Sequence, residues 1–248
     1  MPDSASASGP CRFCCDRTGL RCLPERQGKT LGLFYGIVRN NEVKGGECRV
    51  INVYLIVGLG NPGSRYKDTR HNVGFQTIDL WCHGLGVRLC KRGFQSRNNW
   101  FRFQGKKVML LCPLTFMNQS GQAVRACAGY YGFEPKDILV IHDDIDLPVG
   151  RVKMVRGSGS GGHKGVQSVI DHLGSTRFSR IKIGIGRPRY GEAIEDYVLA
   201  PFYRDERDTV RKVLLTATQA CELFVSEGIE PAMNKTNCQN LAKKEESQ

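Results

Sequence analysis

The sequence lacks long hydrophobic runs, a secretory leader and a regular cysteine framework, and each absence excludes a class of protein. No apolar stretch in the 248 residues approaches the roughly 20 that a membrane helix needs, so we expect no membrane association. The 11 cysteines show no framework spacing, so free thiols in a reducing compartment are expected. We therefore predict a monomeric protein of the cytoplasm, with the mitochondrion or chloroplast as the alternative location.

Acidic residues are also scarce compared with basic ones. The chain has 24 Asp and Glu against 36 Lys and Arg, which gives a net charge of +12 and a pI near 9.3. This excess favours a polyanionic partner such as RNA, although many basic proteins bind no nucleic acid. The hydrophobic fraction of 40% is enough for a folded core.

The N-terminal segment differs in composition from the rest of the chain. It opens with the low-complexity string MPDSASASGP and holds five of the 11 cysteines. We predict a disordered extension at 1–50, a globular domain at 51–238 and a polar tail at 239–248. A zinc site at the C-x-x-C pair of 11–14 would need a second well-spaced pair, and Cys22 with Cys48 makes a poor one. A transit peptide and an over-long reading frame stay open as alternatives for this extension.

Hydrophobic periodicity predicts an alternating order of strands and helices. Strands are predicted at 53–57, 99–104, 107–112, 138–142, 151–155 and 181–185, and helices at 72–84, 119–131, 164–173 and 204–226. Gly105 is expected to turn a hairpin between two of the strands. This order predicts an α/β fold, a three-layer α/β/α sandwich with a central mixed, mostly parallel sheet.

The segment 55–74, LIVGLGNPGSRYKDTRHNVG, joins an apolar strand to a polar loop and a helix. Ligands gather at the carboxyl ends of buried parallel strands, so this loop is a candidate site. Thr69 is predicted to cap the helix, with His71 in or near its first turn. Residues 58–63 also match the dinucleotide fingerprint G-x-G-x-x-G. We reject a nucleotide site for two reasons. The fingerprint needs a helix that begins at its third glycine, but a polar loop at 64–68 comes first, and it needs an acid at the end of the next strand to bind the ribose, but the next clear strand ends without one.

Five blocks together resemble the bacterial-type peptidyl-tRNA hydrolase family. They are GLGNPG with TRHN, TFMN at 115–118 with SG, HDDID at 142–146, GGHKG at 161–165 and IGIGRP at 183–188. The blocks keep the family's order over about 52–237. The resemblance implies hydrolysis of the ester of peptidyl-tRNA, contacts to its acceptor stem and peptide, and no cofactor.

The resemblance assigns the catalytic base to His71 and its partner to Asp143. A histidine suits this task because its unperturbed pKa near 6.5 leaves a neutral imidazole that a carboxylate can orient. Asp143 follows the apolar strand and should emerge at the same sheet edge as His71. A magnesium site is the rival for this acidic cluster, whereas Asp144 and Asp146 are expected to serve a turn. We expect no metal, because no second acidic cluster or ligand-spaced histidine accompanies them.

Further contacts are implied by the same resemblance. Asn61 would distinguish peptidyl from free aminoacyl esters, and Tyr66, Phe116 and Asn118 would contact the tRNA end or the peptide. Lys164 falls among the substrate-binding residues, but it stands where the commonest pattern, GHNG, has asparagine.

Basic residues and His163 are the candidates for RNA contact. His163 and Lys182 are the proposed tRNA contacts, and a positive face is expected from Lys153, Arg156, Lys182, Arg187 and Arg189. The alternative function is that of plant organelle splicing factors, which share the fold and bind RNA without hydrolysis.

Overall fold

The computed structural model describes residues 41–44, 47–50 and 53–238. Two short strands, β1 (Asn41–Lys44) and β2 (Glu47–Val50), pair antiparallel. Some β structure therefore occurs within the segment that the sequence predicts to be disordered. The other residues of that extension, including Cys11, Cys14 and Cys22 of the zinc site considered above, and the tail at 239–248 lie outside the described residues.

Seven strands and six α-helices make up residues 53–238. The strands are β3 (Val53–Gly58), β4 (Lys91–Gly93), β5 (Ser96–Phe103), β6 (Lys106–Pro113), β7 (Ile138–Asp144), β8 (Val152–Arg156) and β9 (Ser179–Gly184). The helices are α1 (Val73–Leu85), α2 (Ser120–Tyr131), α3 (Lys164–Leu173), α4 (Ile194–Val198), α5 (Arg207–Glu227) and α6 (Ile229–Asn237). Among the described helices, none is long and apolar enough to cross a membrane.

The sheet has the order β4-β5-β6-β3-β7-β9-β8. The four central strands, β6, β3, β7 and β9, pair in parallel, whereas β4–β5, β5–β6 and β8–β9 are antiparallel. This confirms the predicted mixed, mostly parallel sheet. It also brings the carboxyl ends of β3 and β7, which are direct neighbours, to one edge.

Side chains along the central strands alternate between two helical layers. On β3, Leu55 and Val57 belong to the buried cluster that includes residues of α2 and α3, while Ile56 belongs to the one that includes residues of α1, α5 and α6. All three are fully buried, because a parallel sheet covered on both faces leaves no solvent-facing side. The predicted three-layer sandwich is confirmed.

Within residues 53–238, two α-helices and one strand have no counterpart in the sequence prediction. The edge strand β4 holds only exposed polar residues and glycine, so it carries no apolar alternation. Helix α4 has five residues, too few for a periodic signal. Helix α6 follows directly after Gly228 and contains Pro231 in its first turn, two residues that ordinarily mark the end of a helix rather than a new one.

Candidate active site

Two glycines set the position at which α1 begins. A Cβ atom on Gly58, at the end of β3, would lie 2.4 Å from the carbonyl oxygen of Gly74 in α1. A Cβ atom on Gly74 would lie 2.5 Å from the carbonyl oxygen of Ile141 in β7. The helix start therefore packs directly onto the two central strands, which explains these glycines without a nucleotide.

A 3-10 turn, Arg70–Asn72, precedes α1. The prediction that Thr69 caps the helix through its side chain is wrong, since its hydroxyl donates to the carbonyl of Tyr66 at 2.8 Å and makes no capping bond. The extra turn separates Thr69 from the first residue of α1. It places His71 beside the carboxyl end of β7.

His71 and Asp143 form the central pair of the site. Nδ1 of His71 lies 2.9 Å from Oδ1 and 3.0 Å from Oδ2 of Asp143. The carboxylate accepts, so Nδ1 carries the proton and Nε2 keeps its lone pair. The His71 side chain is 14% exposed and that of Asp143 only 4%. A buried acid thus orients an accessible imidazole.

His163 is a second histidine bound to the same acid. It caps α3, where its Nδ1 accepts from the backbone N–H of Val166 at 3.1 Å. The other ring nitrogen, Nε2, therefore carries the proton and donates to Oδ1 of Asp143 at 2.9 Å. Both ring nitrogens are thus occupied inside the protein, and a contact between His163 and tRNA stays a prediction.

The protonation of Asp143 reflects two opposing influences. Burial raises the pKa of the carboxyl, but the fields and hydrogen bonds of His71 and His163 outweigh it and hold that pKa below its usual range. The acid is therefore ionised at neutral pH and able to stabilise an imidazolium.

His142 contacts both Asp143 and His163. Its Nδ1–H donates to the backbone carbonyl of Asp143 at 2.7 Å, and its ring packs edge-on against His163 with centroids 4.8 Å apart. Nε2 is buried without a partner in the described part of the chain. Burial lowers the pKa of His142 to about 3, so it is a neutral packing residue.

Asn61 is held by residues of two other segments. Its Oδ1 accepts from the backbone N–H of Met117 at 2.9 Å, which leaves the amide Nδ2 as the donor. The Asn72 side chain bonds both backbone groups of Asn61, at 2.8 and 2.9 Å. Sequence reasoning missed this role of Asn72, although it ends the TRHN motif.

The prediction that no metal binds rests partly on the lack of a histidine spaced to act as a ligand, and that ground is wrong. His71, Asp143 and His163 together offer three ligand atoms within 4.8 Å of one another. Both nitrogen–oxygen distances of 2.9 Å match hydrogen bonds that two protons satisfy. The donor set could take a transition metal only if the rings moved, so metal-free action stays a prediction.

The match that decides the family covers most of the described domain: the profile described as peptidyl-tRNA hydrolase matches residues 55–246. The chain belongs to the peptidyl-tRNA hydrolase family. A peptidyl-tRNA hydrolase of Moorella thermoacetica is 47% identical over 186 residues, covering 75% of this chain and 98% of the relative. That of Geobacillus kaustophilus is 45% identical over 183 residues, covering 74% and 98%. A crystal structure of the Acinetobacter baumannii peptidyl-tRNA hydrolase matches with a TM-score of 0.72 and 36% identity, covering 76% of this chain and 96% of that one.

The predicted substrate residues of this family member lie mostly on the surface. Phe116 is 58% exposed, and Asn118 and Lys164 are exposed near the starts of α2 and α3. Tyr66 is half-buried, with the guanidinium of Arg65 bonded to its hydroxyl and lying 4.4 Å from its ring centroid. Their contacts with substrate stay predictions.

Most members of the predicted positive face are neutralised by acids. The Lys182 ammonium lies 2.5 Å from Asp144, and Arg156 lies 3.6 Å from Glu230. Arg187 and Arg189 likewise pair with acids, namely Asp146, Asp205 and Glu206. Lys182 is thus first a partner of Asp144, and a tRNA contact there would have to compete with that pair. Asp144 also accepts from the backbone N–H of Asp146 at 2.9 Å, which is the expected turn bond.

Arg70, next to His71, is a residue that sequence reasoning missed. It is fully buried and donates to the carbonyl of Pro201 at 2.6 Å and to Glu206 at 3.3 Å. Its guanidinium lies 3.9 Å from the ring centroid of Tyr197. These contacts tie the turn that carries His71 to the segment between α4 and α5.

Proposed function

We propose that this protein hydrolyses the ester bond of peptidyl-tRNA, releasing free tRNA and peptide. Nε2 of His71 takes a proton from a water molecule, which attacks the ester carbonyl. Asp143 stabilises the imidazolium that forms, and the same proton then passes to the departing ribose oxygen. The ester bond breaks, a carboxylic acid forms, and the imidazole returns to its neutral state.

Asn61 fits the recognition of the peptide end. Because Met117 occupies its Oδ1, the Nδ2 group is available to donate to a carbonyl or to the oxyanion that replaces it. A peptide carbonyl is present in peptidyl-tRNA and absent upstream of a free aminoacyl ester. This gives the proposal a basis for selectivity. Phe116, Asn118 and Lys164 surround this region as contacts to the tRNA end or peptide.

The observation that carries the proposal is the pairing of an accessible His71 with a buried, ionised Asp143 at the sheet edge that Asn61 shares. Release of free tRNA from N-acetyl-aminoacyl-tRNA by purified protein tests it, with His71→Ala as the control. If the wild type and the variant release tRNA equally slowly, the splicing-factor alternative is favoured instead.

The oligomeric state, the cellular location and the cofactor requirement belong to the same proposal. We expect a monomer that acts on peptidyl-tRNA in the cytoplasm, with the mitochondrion or chloroplast as the alternative. No cofactor is required for the steps above. Sedimentation of the purified protein and cell fractionation test the first two expectations, and activity after chelation tests the third.

A further inference from the structure

One long stretch of the chain carries basic residues without any acid. From Leu80 to Phe133 there are eight Lys and Arg and no Asp or Glu, although the whole chain has 24 acids. The stretch includes β4, β5, β6 and α2. β4 and β5 lie at one edge of the sheet, whereas β8 and β9, with the ion-paired Arg156 and Lys182, lie at the other. The part of the surface that is basic without acidic partners is therefore on the β4 side.

Three of these cations share one face of the sheet with Trp100 of β5. Lys91 pairs with Asn98 of β5, and Lys107 pairs with Arg102 of β5, so the two register pairs lie on either side of Trp100. Alternate residues of a strand and directly opposite residues of neighbouring strands point to the same face. Lys91 and Lys107 make no ion pair within the part of the chain that the structure describes. Their charges are therefore available to a partner.

An aromatic patch, made of Phe94, Trp100, Tyr130, Tyr131 and Phe133, lies on this same face. Trp100 meets Tyr131 edge-on with ring centroids 5.1 Å apart and stacks on Phe133 at 6.0 Å. Phe94, in the turn between β4 and β5, lies 5.3 Å from Tyr130 and 5.6 Å from Tyr131 at the end of α2. Tyr130 is 59% exposed, whereas Phe94, Trp100 and Phe133 are half-buried. Packed rings thus hold an exposed one at the surface.

The aromatic patch is separate from the catalytic cluster. It is built on β5 and on the end of α2, and the strands β6 and β3 lie between β5 and β7, which carries Asp143. A ligand on the patch therefore need not occupy the site at His71.

We propose that the aromatic patch and the cations beside it bind single-stranded RNA. Unpaired bases stack on exposed aromatic rings while cations contact the phosphates, and both kinds of group are adjacent here. Duplex RNA keeps its bases stacked on one another, so it would use the cations alone. A partner protein could also cover the rings, but the lack of acids beside them favours a polyanion. The inference goes beyond the proposed hydrolysis and does not depend on it.

Equilibrium binding of a fluorescent adenylate dodecamer tests the proposal, with an RNA duplex of the same length for comparison. Acetyl-leucyl-aminoadenosine, a phosphate-free amide mimic of the substrate's 3′ end, is added to occupy the catalytic cluster. Tyr130→Ala and the conservative Tyr130→Phe address stacking, and Lys91→Gln addresses phosphate contact. Tyr190→Ala and Arg207→Gln are the matched controls, an exposed ring and an exposed cation outside the patch. Thermal melts check that each variant is folded, and ester hydrolysis, measured separately, judges the proposed function by itself.

We expect Tyr130→Ala to weaken the single strand about tenfold and the duplex little, with Tyr130→Phe and both controls close to wild type. Lys91→Gln should lower the slope of log affinity against log salt by about 0.7, as for one phosphate of a single strand. The amide mimic should leave single-strand affinity unchanged.

Three results would overturn the inference. The first is a wild type that does not bind the single strand, or binds it no better than Tyr130→Ala does. The second is displacement of the strand by the amide mimic, which would place the strand in the catalytic cluster. The third is a wild-type dimer that Tyr130→Ala converts to a monomer with RNA affinity unchanged, because a second copy of the chain would then cover the patch.

Discussion

The catalytic cluster and the substrate-facing surface of this molecule are built in opposite ways. In the cluster, Asp143 is buried and bound by both His71 and His163, each at 2.9 Å. On the surface, Phe116 and Lys164 project into solvent. We expect that the proposed reacting groups are fixed before substrate arrives, whereas the proposed contacts to RNA and peptide become ordered on binding.

The strongest test of this difference removes the imidazole of the proposed base, His71. We expect His71→Ala to lose roughly a hundredfold or more in turnover while retaining its affinity for tRNA, because the ring acts in chemistry rather than in binding. Single-turnover cleavage and a binding titration measure the two effects. Cleavage close to wild type would remove His71 from the base role.

The second prediction concerns the stability of the buried cluster. The pKa of His142 is about 3 in the folded protein and near 6.5 when unfolded, so the unfolded chain takes up the proton first as pH falls. Stability from this group is present above pH 6.5 and decreases towards pH 3. Lowering the pH from 7 to 5 should therefore reduce the free energy of unfolding by about 2 kcal/mol through this group.

His142→Asn should abolish that contribution, because asparagine can keep the bond to the Asp143 carbonyl without titrating. Urea unfolding of both proteins at pH 7, 6 and 5 makes the comparison. Asp143 is ionised in both states over this range, since its pKa is lowered from an ordinary value near 3.8. Identical pH slopes for the two proteins would contradict the burial of a neutral His142.

A matched pair of variants separates the two bonds of His163. Asparagine can cap α3 but cannot reach Asp143, whereas glutamine can reach Asp143 but is a poor cap. We expect His163→Asn to keep wild-type stability and lose about tenfold in turnover. His163→Gln should lose about 1 kcal/mol of stability and retain more of the rate. Wild-type turnover in His163→Asn would show that the histidine acts only through the cap of α3.

The smallest expected effect lies on the exposed surface. If the Lys164 ammonium reaches a phosphate, log affinity for a non-hydrolysable peptidyl-tRNA analogue should depend on log salt with a slope up to about one unit steeper than in Lys164→Asn. Cleavage at saturating substrate should be similar in both. Coincident slopes would place Lys164 outside the RNA interface, and a collapse of saturated turnover would place it in the chemistry.

The sequence predicted the meeting of His71 with Asp143 because both follow apolar strands whose carboxyl ends share one edge. It did not predict that His163 faces Asp143, since this depends on the ring turning to cap α3. Nor could it show that Lys182 would pair with Asp144 across β7 and β9, because the pairing of these half-buried charges depends on strand register. Local pattern thus predicts that His71 and Asp143 meet, while their other hydrogen-bond partners depend on tertiary geometry.

The close contact between Gly58 and Gly74 has a consequence for protein engineering. Because α1 begins against the strands themselves and Arg70 ties the turn before it to the segment between α4 and α5, several contacts outside the loop at 62–68 hold His71 in place. We expect substitutions in that loop to leave His71 beside Asp143. The loop is therefore a convenient starting point for redesigning which esters are cleaved.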